Sequence, residues 1–236
     1  MTSLAYHRDT YAMLGPAPLC ISLPPSLLDL ARKHNIELPP SYLELCRTAG
    51  ANDLLRYYSS PDSFFLLQPA VLHDPDLGPL LHFMSESQGN FDLAVSCAPG
   101  DDPPVYLRDY TATRWIVYSE TFSQAIFAQI FDWQFQVRQV DGLCDLEYTL
   151  LNGPWQPELL ASFDRRATRR PTTHWSMDDI TGTTYRYSLS EDSRVQIEAT
   201  GDKAQLIVTG RTRDDLQRAT AEVQRHVQED TGIDLR

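Results

Sequence analysis

The sequence predicts an α+β protein in which helices pack on an antiparallel sheet. Three observations carry this. Short strand-like segments follow one another between residues 63 and 118, separated by turn signals, as hairpin-joined strands do. A strongly apolar helical stripe at 121–131 closes that run. A further hairpin and helix follow from Thr184 onward.

Residues 1–20 read as an irregular lead-in containing Pro16 and Pro18. The first helix is expected over 26–34. Pro24 and Pro25 precede it, Ser26 can cap its first turn, and Leu27, Leu30 and Ala31 line one face up to Asn35. The second spans 40–49. Pro40 suits a first helical turn, where its missing N–H would be unpaired anyway. Tyr42, Leu45, Cys46 and Ala49 form the apolar face, and Gly50 is the expected stop. Strand-like runs then lie at 63–67, 80–84, 90–95, 105–107 and 115–118. Turns at 88–90 and 99–104 separate some of them. The third helix, 121–132, recurs in Phe122, Ala125, Ile126 and Ile130, with Phe127 and Phe131 widening the stripe.

Four stretches result: the lead-in, a domain over 21–140, a linker or wrapping segment over 141–183, and a small hairpin-plus-helix module over 184–236. The linker reading rests on Pro154, Pro157, Pro171 and few aliphatics. In the terminal module, 194–200 alternates, Gly201 turns, 205–209 returns, and Thr212 can cap a helix with Leu216, Ala219, Val223 and Val227 on one side.

The chain has 236 residues, is 42% hydrophobic and carries a formal charge of −12, enough apolar content for a packed core. Such a charge repels phosphate backbones, so nucleic acid is an unsuitable partner, and the final helix offers no basic face. A basic protein partner suits it, or the charge serves solubility alone. Cys20, Cys46, Cys97 and Cys144 form no C-x-x-C pair and have no histidine at ligand spacing. They imply no structural zinc and fit a reducing compartment. The first residues lack a basic region followed by an apolar core, and no apolar run reaches the roughly 20 residues that span a bilayer. A cytoplasmic protein is therefore expected, with no membrane contact.

No phosphate-binding glycine loop, nucleophile elbow or helical histidine pair occurs. His73, Asp74 and Asp76 cluster in a Pro-containing loop, which reads as a solvated turn with a metal site as the alternative. Arg165, Arg166, Arg169 and Arg170 either grip an anion or pair with acids of the same chain. No cofactor and no catalytic residues are expected.

Several segments together carry a family resemblance. These are Asn35-Ile36-Glu37-Leu38-Pro39-Pro40-Ser41-Tyr42-Leu43-Glu44-Leu45, then Ser87-Gln88-Gly89-Asn90-Phe91-Asp92-Leu93, then Pro104-Val105-Tyr106-Leu107-Arg108-Asp109-Tyr110, and finally Glu120-Thr121-Phe122-Ser123-Gln124-Ala125-Ile126. Their order and spacing resemble the SUKH superfamily over about residues 25–135. The family includes Smi/Knr-type regulators of fungi and many bacterial immunity proteins. The chain departs from its pattern in having only Gly89 where several glycines are usual, and Pro103-Pro104 where Gly-Pro is usual.

The resemblance implies a SUKH-like antiparallel sheet with packed helices, followed here by a C-terminal hairpin-helix extension. It also implies a non-catalytic protein-binding module, an immunity protein that binds and neutralises a bacterial toxin domain. A Smi/Knr-type regulatory scaffold is the alternative, and an enzyme with a site around His73, Asp74 and His82 the second. For a basic toxin the expected partner-binding residues are loop acids: Asp74, Asp76, Glu86, Asp101 and Asp102. The competing reading makes these turns merely solvated.

Overall fold

The computed structural model describes residues 4–14, 22–48, 63–86, 89–133, 147–177 and 180–235. The protein is α+β, and the chain divides into two compact units, one made mainly of the residues up to Trp133 and one made mainly of those after it.

The first unit carries α1 (Arg8–Leu14), α2 (Pro25–His34), α3 (Pro40–Cys46), strands β1 (Ser63–Asp74), β2 (Gly78–Glu86), β3 (Phe91–Ser96), β4 (Val105–Asp109) and β5 (Ile116–Ser119), and α4 (Phe122–Trp133). The five strands form an antiparallel meander in the order β1-β2-β3-β4-β5. The expected helices and strands appear, shifted by a few residues at their ends; β1 runs on to Asp74 rather than stopping at 67.

Local chemistry explains the boundaries. Asn35 adopts the left-handed conformation, φ +50°, and its amide reaches the Ala31 and Arg32 carbonyls, which closes α2. Gly78 and Gly89 have φ of +76° and +79°, a region costly for any residue with a Cβ. Helix α3 ends at Cys46, earlier than expected, while Ala49 and Gly50 lie outside the described residues.

Phe122 centres the core of this unit. It has no exposed surface, and its ring lies 5.2 Å from Phe83, 5.4 Å from Tyr42 and 5.7 Å from His7. The lead-in is a correction: α1 forms there, with Thr10 and Tyr11 buried. The residues leading into it, Ala5 to His7, give their amides to Glu44, far along the chain, so no local signal announces the helix.

The second unit carries β6 (Glu147–Pro154), α5 (Glu158–Arg166), β7 (Thr168–Met177), β8 (Ile180–Ser188), β9 (Ser193–Thr200), β10 (Lys203–Gly210) and α6 (Arg213–Thr231). Its strands are ordered β6-β10-β9-β8-β7, so α5 crosses between the two sheet edges and the chain then winds back. The expected linker at 141–183 is thereby corrected: from Glu147 on, its described residues are two strands, a helix and the start of a third strand. Pro171 misleads because β7 is an edge strand, where a missing amide donor costs no ladder bond. The terminal hairpin and helix are present, but as part of this larger unit.

Leu216, Ala219, Val223 and Val227 of α6 are buried with Leu159 and Phe163 of α5 and with Tyr187, Val195, Ile197, Leu206 and Val208 of the sheet. Thr212 and Asp215 cap α6 reciprocally, each side chain accepting the other's amide, at 3.2 and 3.1 Å. A β-carbon on Gly210 would strike the Leu216 backbone, so the glycine lets α6 start against the end of β10.

Candidate functional site

Register places two rows of side chains on one face of the first sheet. The first row runs His82, Ala94, Tyr106, Val117 across β2 to β5. The second runs Ser85, Asp92, Arg108. A β-bulge between His82 and Met84 puts His82 and Ser85 on the same face although they are three apart.

His82, Ser85 and Asp92 therefore meet. His82 Nε2 lies 2.9 Å from Ser85 Oγ, 3.1 Å from Asp92 Oδ1 and 3.1 Å from the Met84 carbonyl oxygen. Ser85 Oγ donates to Asp92 Oδ1 at 2.8 Å. The residue types are those of a hydrolase triad, but the connectivity is not. A working relay needs a bare imidazole nitrogen facing the serine and a carboxylate on the other nitrogen. Here serine, carboxylate and carbonyl crowd one nitrogen, which must donate to them, and the serine proton points at the aspartate. The cluster orders the sheet face; it does not activate a nucleophile.

Asp92 also takes Arg108 Nη2 at 3.2 Å, and the Arg108 guanidinium lies 4.6 Å from the centre of the Trp115 ring. Tyr110 follows at the end of β4, 83% exposed, and Val117 is 44% exposed. The turn that projects Tyr110 is tightly held. Its amide donates to the Asn90 carbonyl at 3.0 Å, and buried Asp109 accepts the Thr111 amide and hydroxyl at 2.8 and 3.0 Å. The alternation that separates Tyr106, Arg108 and Tyr110 from Val105 and Leu107 is the signal in the sequence that marks this face.

Four of the expected acidic residues lie in turns at one end of the first sheet, Asp74 and Asp76 between β1 and β2 and Asp101 and Asp102 between β3 and β4. Asp74 closes the β1–β2 turn, its Oδ1 accepting the Asp76 and Leu77 amides at 3.0 Å each. Asp76 beside it is exposed. Glu86 stands at the other end of β2 and is a correction: it is buried, 7% exposed, because its carboxylate turns back to accept the Asn90 amide at 3.0 Å. Asp101 is exposed, with its carbonyl accepting the Ser41 amide at 3.0 Å and its carboxylate raising the Tyr6 phenol, second to burial as a cause. Asp102 caps α4 through the Ser123 amide at 3.0 Å. Asp76 alone of the five has no structural task among the bonds described.

The arginine cluster resolves toward the intrachain reading. Arg166 grips Asp230 through two nitrogens, at 2.7 and 2.8 Å, and reaches Glu229 at 3.3 Å. Arg165 lies 3.2 Å from Asp230, and Arg169 lies 3.3 Å from Asp164. Among the described residues no group of three or more His, Cys, Asp or Glu is placed to hold a metal ion. Cys46 and Cys97 are free, and burial pushes both thiols up to about 11, so at neutral pH they are protonated and weakly reactive. Cys20 and Cys144 lie outside the described residues. Among the described residues no helix is long and apolar enough to cross a membrane. Comparison with protein-family models, curated proteins and solved structures finds no significant match.

Proposed function

We propose that the chain is a non-catalytic, cytoplasmic protein-binding module, an immunity protein that binds and neutralises a toxin domain. One observation carries this reading. The β4–β5 side of the first sheet offers Tyr110, Trp115 and Arg108 on a rigid hairpin, with Val117 beside them. Tyr, Trp and Arg are the residue types that supply most binding energy at protein interfaces, and a pre-ordered turn spares the entropy of fixing them. The net charge of −12 adds long-range attraction for a basic partner. Contact and steering thus fall to different residues: the aromatic face anchors, while exposed acids such as Asp76 raise the encounter rate.

The test is calorimetric titration with the toxin domain encoded beside this gene. Tyr110→Ala and Arg108→Ala should each weaken binding about tenfold or more. Asp76→Asn should slow association at low salt and leave dissociation unchanged. A gene with no such neighbour, or wild-type affinity in both face variants, would sink the proposal.

A further inference from the structure

The first residues of the unit are strapped down by one carboxylate and one imidazole. Glu44 on α3 accepts three successive amides, those of Ala5 at 2.7 Å, Tyr6 at 2.9 Å and His7 at 2.8 Å. His7 itself is wholly buried, edge-on to the Phe122 ring at 5.7 Å. Its Nε2 lies 3.0 Å from the Ser41 carbonyl oxygen. A carbonyl only accepts, so the neutral ring carries its proton on Nε2. Nδ1 is then a bare acceptor, and it is buried with no partner among the described residues.

A second proton can enter this ring only at Nδ1. There it meets no acceptor among the described residues, and it brings a full charge into a buried site. The charged groups facing the ring do not cure this. Glu44 has both oxygens committed to backbone amides, and Asp102 is engaged with Ser123. On the segment itself, Arg8 and Asp9 point to solvent. Burial accordingly holds the imidazole below its ordinary value, although the Ser41 carbonyl and the charges of Glu44 and Asp102 act the other way.

We propose that His7 is an acid-sensitive latch: its neutral ring holds residues 5–11 against α3 and α4, and acid releases that segment from Ser41 and Phe122. The direction follows from linkage. The docked ring is neutral and the released ring has the ordinary value of about 6.5, so docking is at full strength above that pH. As pH falls below it, the docking equilibrium weakens by up to tenfold per unit until the docked ring protonates too.

Hydrogen exchange of the full chain at pH 7.5 and 5.0, expressed as protection factors, reads the latch. The amides of residues 5–11 should lose protection about tenfold or more at the lower pH, while those of β2, β3 and α4 keep theirs. The His7→Gln variant retains a donor for the Ser41 carbonyl but cannot titrate, and its protection should be the same at both values. Unchanged protection in the wild type overturns the proposal, as does an equal loss in the variant. If the variant does not dock, the wild-type ring is followed by NMR. Its titration midpoint should lie below 6.5 and coincide with loss of protection at 5–11, and protonation without release also overturns the latch.

Discussion

Asp102 reaches across from the turn before β4 to the head of α4, where its carboxylate accepts both the amide and the hydroxyl of Ser123. Thr121 completes the cap by taking the Gln124 amide at 3.2 Å. A negative group at a helix N-terminus satisfies free amides and complements the dipole. Asp102→Ala should therefore lower stability by about 0.5–2 kcal/mol in urea unfolding. Asp76→Asn, at an exposed position, should stay within about 0.5 kcal/mol. Equal stability of the two variants would remove Asp102 from the cap.

Phe122 and Ile126 lie fully buried on α4. Replacing either by Ala removes apolar contact and leaves a cavity that the surrounding rings fill only in part. The expected cost is about 2–5 kcal/mol. Chemical denaturation showing less than about 1 kcal/mol for both would mean that the helix contributes little to the core.

Gly182 on β8 lies against the indole of Trp175 on β7, and a β-carbon there would come within 2.3 Å of its ring atoms. Gly182→Ala should cost about 1–3 kcal/mol, as overpacking does. Pairing it with Trp175→Ala should recover part of the loss, since the smaller residue vacates the space. A thermal melt in which the single variant matches wild type would show that the indole moves aside freely.

Asp230 stands in the last turn of α6, where a negative charge opposes the helix dipole. Hydrogen bonds from Arg166 first, and then from Ser162, hold its carboxyl well below the ordinary range. A depressed carboxyl adds stability that is present above about pH 4 and fades as pH falls further. The stability gap between wild type and Asp230→Asn should be widest at neutral pH and narrow below that point. A gap independent of pH would refute the assignment.

Features written in short-range periodicity were legible in the sequence. The stripe at Phe122, Ala125, Ile126 and Ile130, the turn at Gly89 and the Thr212 cap all appear where local pattern puts them. Features that depend on distant partners were not. Helix α1 needs Glu44, and β7 hides behind Pro171 and its arginines because its register is set by β8. Glu86 reads as a surface charge until the glycine turn folds the Asn90 amide onto it. The candidate face escaped for a related reason. His82 and Ser85 share one face only through a bulge, which shifts the alternation by one residue and carries no composition of its own.

The strand order of the second unit bears on how it is made. Among the described residues β6 lies at a sheet edge and pairs with β10 alone, matching Glu147 to Thr209 and Pro154 to Lys203. That partner is thus synthesised after α5 and three intervening strands, and α6, which covers the same core, comes later still. Pairing so far apart in the chain is slow, because the loop must close before any contact repays it. During translation the described strands of the first sheet are complete by Ser119, whereas those of the second wait for Gly210 and its covering helix for Thr231. A ribosome stalled shortly before α6 would display one finished unit followed by a partial sheet with bare apolar residues, a natural target for chaperones.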